Sequence, residues 1–344
     1  MYDYDNVSSR FSGFRRPSSF QDLPVECLAV IFGCLNEQEI CSAALVCRRW
    51  HEASKTPNLW QHADFRLVNK HKYPSAPKRS PHFDLTQKYK DYTAHLLAKH
   101  ANIRHLSFDL DLNSDYETLA ELISSGRCHK LTSVDMKWAD SWDYRRWNKL
   151  EDQLLFFHSL LVLMGSYCTK LQAVRTQFNW TTESLNYLLA FKNLEELELS
   201  SVPRVHPVQR WHIETLLAGC VALKKFKIDA RILPDLVYKY SFKSDSLELL
   251  DISMSVNLFI VEMVLPRLHT FTAKHFTCYQ KYTDICLFEV LDRGCPALQY
   301  INDVSAENPG LQNFGMSREQ EWDLRICYCT NHCGSGRNIQ DVQP

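Results

Sequence analysis

The sequence predicts an α/β protein with two unequal parts: a small three-helix unit near the N-terminus, then a solenoid of repeats whose parallel strands build one curved sheet. Three observations predict it. Between Pro24 and Trp60, apolar residues recur at helical spacing in short bursts broken by cap and turn residues. From residue 101 onward the pattern L-x-x-L-x-L recurs in eight units, starting at Ile103, Leu131, Leu171, Leu194, Leu223, Leu247, Leu268 and Leu298. The steps lie between 21 and 30 residues except one of 40, which marks an insertion, and such periods belong to stacked repeats. Finally, Cys128, Cys168, Cys220 and Cys295 each stand three residues before a unit's first leucine, with Gly126, Gly165, Gly219 and Gly294 just ahead of them. The expected division is a disordered stretch at 1–18, the helical unit at 19–64, a linker and helix at 65–100, the repeats at 101–326 and a tail at 327–344.

The first helix should begin at Pro24, where a missing N–H costs nothing, and carry Cys27, Leu28, Ile31, Phe32 and Leu35 as one apolar stripe. Asn36 and Glu39 read as a capping box that opens a second helix, with Leu35 and Ile40 placed as its hydrophobic staple. Ile40, Ala43, Ala44 and Cys47 should line the buried face of that helix. Leu45, Val46 and Trp50 then point elsewhere. A unit of this size buries only a modest fraction of its surface, so Leu23, Leu45, Val46, Trp50 and Trp60 are a surplus. They face either a partner or the remainder of the chain.

These residues resemble an F-box: Leu23 and Pro24, Ile31 and Phe32, Leu35, the run ALVCRRW from Ala44 to Trp50, then Pro57, Leu59 and Trp60. The resemblance implies binding to the Skp-type adaptor of a cullin-RING ubiquitin ligase. By the same resemblance Leu23, Pro24, Leu28, Ile31, Leu45, Val46, Cys47 and Trp50 form or support the adaptor interface. Arg48 and Arg49 would sit on its polar rim, where charges cost least desolvation.

After Leu67 comes a Pro- and Lys-rich stretch containing Lys70, Lys72, Lys78 and Arg79 without interleaved aromatics, which reads as a solvated connection rather than a nucleic-acid patch. A helix bearing Leu85, Tyr89, Tyr92, Leu96 and Leu97 follows. The repeats resemble cysteine-containing leucine-rich repeats, a type often joined to an F-box. Each Gly should end a helix in the left-handed conformation, with a small buried thiol at the turn into the strand. Strand alternation puts a unit's fourth and sixth positions in the core and its third, fifth and seventh on the concave face. The middle of that face carries Glu196, Glu198, Lys225, Lys227, Leu249 and Asp251, the expected client surface. The same charges could instead pair with one another across neighbouring strands. The insertion holds Trp138, Trp142 and Trp147, a second contact patch or a roof over the first repeats.

Net charge is −1, which advertises neither nucleic acid nor an anionic membrane as partner. The most apolar segment, Leu154 to Met164, is too short to span a bilayer, and no signal-peptide run opens the chain. Thirteen cysteines then read as reduced thiols in a cytoplasmic or nuclear protein. Cys327, Cys329, His332 and Cys333 are crowded where zinc takes two separated pairs, so neither metal nor other cofactor is expected. No nucleophile elbow, phosphate loop or H-E-x-x-H motif appears. The sequence therefore predicts a non-catalytic receptor subunit of a Skp-cullin-F-box ligase that recruits an unknown client protein. The alternative is a leucine-rich scaffold that holds the adaptor outside a ligase.

Overall fold

Pro24, extended in backbone, precedes α1 (Val25–Phe32) and accepts the first helical hydrogen bond on its carbonyl. The capping box opens α2 (Glu37–Ala44): the Asn36 side chain accepts from the Glu39 N–H at 3.0 Å while the Glu39 carboxylate accepts from the Asn36 N–H at 2.8 Å. Cys47, again extended, leads into α3 (Arg48–Ala53), and a single 3-10 turn at Pro57–Leu59 follows. These are three short helices, as expected. The computed structural model describes residues 23–69, 81–110, 116–138, 148–201, 208–230, 239–255, 258–273, 287–302 and 304–305.

The strands are, in chain order, β1 (His62–Asp64), β2 (His105–Leu110), β3 (Ser133–Trp138), β4 (Ala173–Phe178), β5 (Glu196–Ser201), β6 (Lys225–Asp229), β7 (Lys239–Lys243), β8 (Leu249–Asp251), β9 (Phe259–Val264), β10 (Thr270–Thr272), β11 (Tyr300–Ile301) and β12 (Val304–Ser305). Ten of them form one sheet in the order β1-β2-β3-β4-β5-β6-β8-β10-β11-β12. Every neighbouring pair in it is parallel except β11 with β12. Each strand from β2 onward in the parallel run begins two residues after the first residue of a sequence unit, so the L-x-x-L-x-L register was legible in full.

Register explains why. Leu106, Val134, Val174, Leu197, Phe226, Leu250 and Phe271 are successive partners across the sheet and all are buried. A one-residue slip would expose the whole ladder to water. The units' leading residues Ile103, Leu131, Leu171, Leu194, Leu223, Leu247 and Leu268 form a second buried ladder.

The helices are α4 (Phe65–Asn69), α5 (Pro81–Ala98), α6 (Tyr116–Leu122) with a π-helical turn at Ile123–Arg127, α7 (Asn148–Tyr167), α8 (Thr182–Leu188), α9 (Arg210–Gly219) and α10 (Leu287–Gly294). Two of the returns between sheet strands carry a strand among their described residues. β7 and β9 pair in parallel as a small sheet of their own, flanked by α9 and α10. Lys239-Tyr240-Ser241-Phe242-Lys243 explains the first: charges stand at both ends and Tyr240 and Phe242 are buried two residues apart, the period of a strand.

Cys128, Cys168, Cys220 and Cys295 are all buried at the turns into their strands, as the spacing predicts. Burial pushes the thiols of Cys168 and Cys295 up to about 12, and that of Cys220 to about 11. The glycines differ from expectation. Only Gly126, at φ 78, is left-handed. Gly294 is there for close approach: a Cβ on it would lie 1.9 Å from the Met263 carbonyl oxygen of β9.

The end of the span expected to be the helical unit is integral to the sheet, and the span expected to be linker and helix packs against it. β1 extends the sheet beyond the first repeat, Phe65 at the head of α4 is buried, and Tyr89 and Tyr92 of α5 meet its ring edge-on at 5.5 and 5.0 Å. Lys70, Lys72, Lys78 and Arg79 lie outside the described residues.

Candidate functional site

At about 100° per residue, α1 divides its apolar stripe in two. Leu28 and Phe32 turn inward and are buried, Phe32 meeting the Trp50 ring edge-on at 5.4 Å. Cys27 and Ile31, assigned to the same stripe from spacing, turn outward with Val30 and Cys34; Val30 is 74% exposed and Ile31 40%. α1 packs against α3.

Leu45 and Val46 occupy the turn between α2 and α3. Their backbone N–H groups donate to the carbonyls of Ser42 and Ala43, both at 3.1 Å, so the turn is satisfied without using the side chains. Those side chains face water, 86% exposed for Leu45 and 64% for Val46. Fully burying a side chain of this kind is worth about 1.5–3 kcal/mol, so Val30, Ile31, Leu45 and Val46 hold a sizeable unspent driving force.

The expected adaptor residues therefore separate by position. Pro24, Ile31, Leu45 and Val46 are exposed, Leu23, Cys47 and Trp50 half-buried, and Leu28 buried, where it supports the others. Arg48 and Arg49 are exposed, as a polar rim requires. Trp60 follows the second alternative given for the apolar surplus: it is buried, and its indole N–H donates to the Ser54 carbonyl at 2.8 Å. Val30, more exposed than Ile31, was missed because one residue's offset on a short helix is not visible in an apolar count.

Residues 20–66 match the F-box-like family. Among curated proteins no match to the chain is found. The F-box-like domain thus spans α1 to the start of α4, and its last residues are already part of the large sheet.

Arg66, the final residue of the match, ties this domain to the sheet face. Its Nε donates to Asp109 Oδ1 at 2.9 Å and its two terminal nitrogens to the Asp135 carboxylate at 3.0 and 2.7 Å, one of them also to the Asp135 carbonyl at 2.9 Å. The partners are distant in sequence, so no local pattern signalled them. Glu37 of α2 is likewise tied to α5: the Tyr92 hydroxyl donates to its carboxylate at 2.8 Å. Burial raises the Glu37 pKa, the Tyr92 bond lowers it, and the nearby Asp64 charge raises it again.

On the same sheet face the expected client residues lie side by side. Glu196, Lys225 and Leu249 are successive register partners, as are Glu198, Lys227 and Asp251. Their charges are engaged across strands. Lys225 pairs with Glu196, Lys227 with Glu198 at 3.2 Å, and Arg175 reaches the same Glu198 at 3.6 Å. Asp251 accepts from the Ser253 N–H at 2.8 Å. These pairs are about half exposed, so each contributes little to stability.

Trp138 ends β3; Trp142 and Trp147 lie outside the described residues, as do Cys327, Cys329, His332 and Cys333. Among the described residues no group of three or more His, Cys, Asp or Glu could hold a metal ion. No helix among them is long and apolar enough to cross a membrane.

Proposed function

We propose that the chain is the client-recruiting, non-catalytic subunit of a Skp-cullin-F-box ubiquitin ligase. The observation that carries this reading is the exposed apolar turn Leu45–Val46, together with the exposed Val30 and Ile31 of α1, on a domain that matches the F-box-like family. An adaptor helix laid across that crest would remove it from water, while Arg48 and Arg49 stay on the rim. Residues 101–326 are read as leucine-rich repeats, supported by parallel strands that follow chain order and start at a constant offset in the sequence units. Their sheet face, around Glu196, Glu198, Lys225, Lys227, Leu249 and Asp251, is the client surface of this reading. Function then rests on geometry: holding a client near a ubiquitin-charged partner raises effective concentration without bond chemistry in this chain. The working compartment is the cytoplasm or nucleus, where such ligases act.

The test is capture of a Skp-type adaptor by the full chain. Leu45→Asp and Val46→Asp should each abolish capture and leave stability within about 0.5 kcal/mol, because both side chains already face water. Undiminished capture by both variants rejects the reading. Recovery of cullin and ubiquitylated client with the wild-type chain distinguishes a ligase from a scaffold.

A further inference from the structure

Two adjoining cavities, of 590 and 640 Å³, lie where the F-box-like domain meets the sheet, and Asn36, Glu37, Asp64 and Leu67 line both. Each falls in the size range of a ligand site. The walls have a definite chemistry. Glu37 and Asp64 bring two carboxylates with no ion pair among the described residues. Among the described residues no Lys or Arg lines either cavity. Arg66, two residues along the chain from Asp64, has its guanidinium committed to Asp109 and Asp135.

The first cavity also contains an unusual aromatic feature. His62 of β1 and His105 of β2 are register partners whose rings stack at 4.5 Å with only 16° between planes. Burial, with His62 and Arg104 close by, holds the His105 imidazole below the usual histidine range. An unprotonated ring offers its face to a cation.

We propose that this cleft binds an arginine side chain of an extended client peptide, the guanidinium lying against the His62–His105 pair and donating to Glu37 and Asp64. Arginine fits better than lysine because its planar fork both stacks on a ring and shares its donors between two carboxylates, whereas an ammonium is a compact point charge. A peptide fits better than a free small cation because the cleft adjoins the sheet face: His62 and His105 begin the cross-strand row that continues through Ser133 and Ala173 to Glu196. This assignment of the occupant rests on the reading of the chain as a client receptor.

The test uses the full chain carrying 13C-labelled histidine, titrated with the probe acetyl-Gly-Arg-Gly-amide and followed by NMR. The expected result is saturable shifts of the His62 and His105 resonances, about tenfold weaker binding of the lysine counterpart and no response to the citrulline counterpart. Asp64→Asn and Glu37→Gln should each weaken binding by about tenfold with unchanged circular dichroism. Both substitutions keep the existing neutral contacts, since an amide oxygen can still accept from the Arg66 N–H at position 64 and from the Tyr92 hydroxyl at position 37. Absence of saturable shifts, an equal response to citrulline, indifference to both substitutions, or tighter binding of spermidine than of the arginine peptide would each overturn the proposal. Adaptor capture measured on the same preparations separates the two ideas: its loss with arginine binding intact rejects the ligase reading and leaves the cleft standing as a cation site.

Discussion

Replacing Arg66 by Ala removes the clamp between the F-box-like domain and the sheet, and its cost can be worked from the contacts. Four hydrogen bonds, three of them to carboxylate oxygens, would be lost. The side chains of Arg66, Asp109 and Asp135 keep 20%, 38% and 27% of their exposure, so the site lies between a surface pair and a buried one. Surface pairs are worth about 0–1 kcal/mol and breaking a buried pair costs about 3–5, which puts Arg66→Ala near 2 kcal/mol. The pH dependence is a sharper test. Burial pushes the Asp135 pKa up, but the hydrogen bonds and charge of Arg66, with Lys137 and Arg175, pull it below its ordinary value of 3.8. A carboxylate depressed in the folded state contributes stability that is fully present above its unfolded pKa and is lost as pH falls through the folded one. Urea unfolding followed by circular dichroism should therefore show the full penalty near neutral pH and a shrinking penalty below about pH 4. A penalty under about 0.5 kcal/mol at neutral pH, or one that stays constant through the acid range, would refute the assigned role of Arg66.

Other expectations follow from single contacts. Gly294→Ala should destabilise by more than about 1 kcal/mol because its Cβ meets the Met263 backbone, whereas Gly165→Ala, inside α7 with 3.7 Å to Ala190 Cβ, should be neutral or gain about 0.5 kcal/mol; thermal unfolding compares the two. Cys168 and Cys220 should resist alkylation in the native chain and react once it is denatured. Their raised pKa values also make stability fall as pH climbs above the ordinary thiol value of 9.0, because only the unfolded thiols ionise there, and an alkaline unfolding series checks this. Reversing Lys225 and Lys227 to Glu places like charges opposite Glu196 and Glu198, so the double variant should lose about 1 kcal/mol and, if the sheet face is the client surface, client recovery, while adaptor capture persists.

How much of this was readable in advance depends on the range of the interaction. The capping box at Asn36 and Glu39 spans three residues, and it was found where expected. The buried ladders of the sheet were equally plain, because alternation within each unit fixes which residues face inward once a strand forms. The split of the α1 stripe was not plain. Leu28 and Ile31 have the same character in sequence, and only tertiary packing decides that the first is buried and the second is not. Which way Trp60 faces was left open for the same reason: its pocket is supplied in part by His95 of α5, whose ring it meets edge-on at 4.8 Å.

By itself, then, the sequence determined the F-box-like helices with their cap, the starting residue of each repeated strand and the burial of the four thiols, since periodicity, caps and alternation act within a few residues. Tertiary structure alone decided that β1 joins the F-box-like domain to the sheet, that β7 and β9 pair as a small sheet of their own, and that Arg66 reaches Asp109 and Asp135. It also brought His62 and Asp64 of β1 together with Glu37 and His105 around one cleft. Each of these needs residues far apart in the chain to arrive at the same place, and a side chain carries no local mark of which distant carboxylate, ring or backbone will meet it.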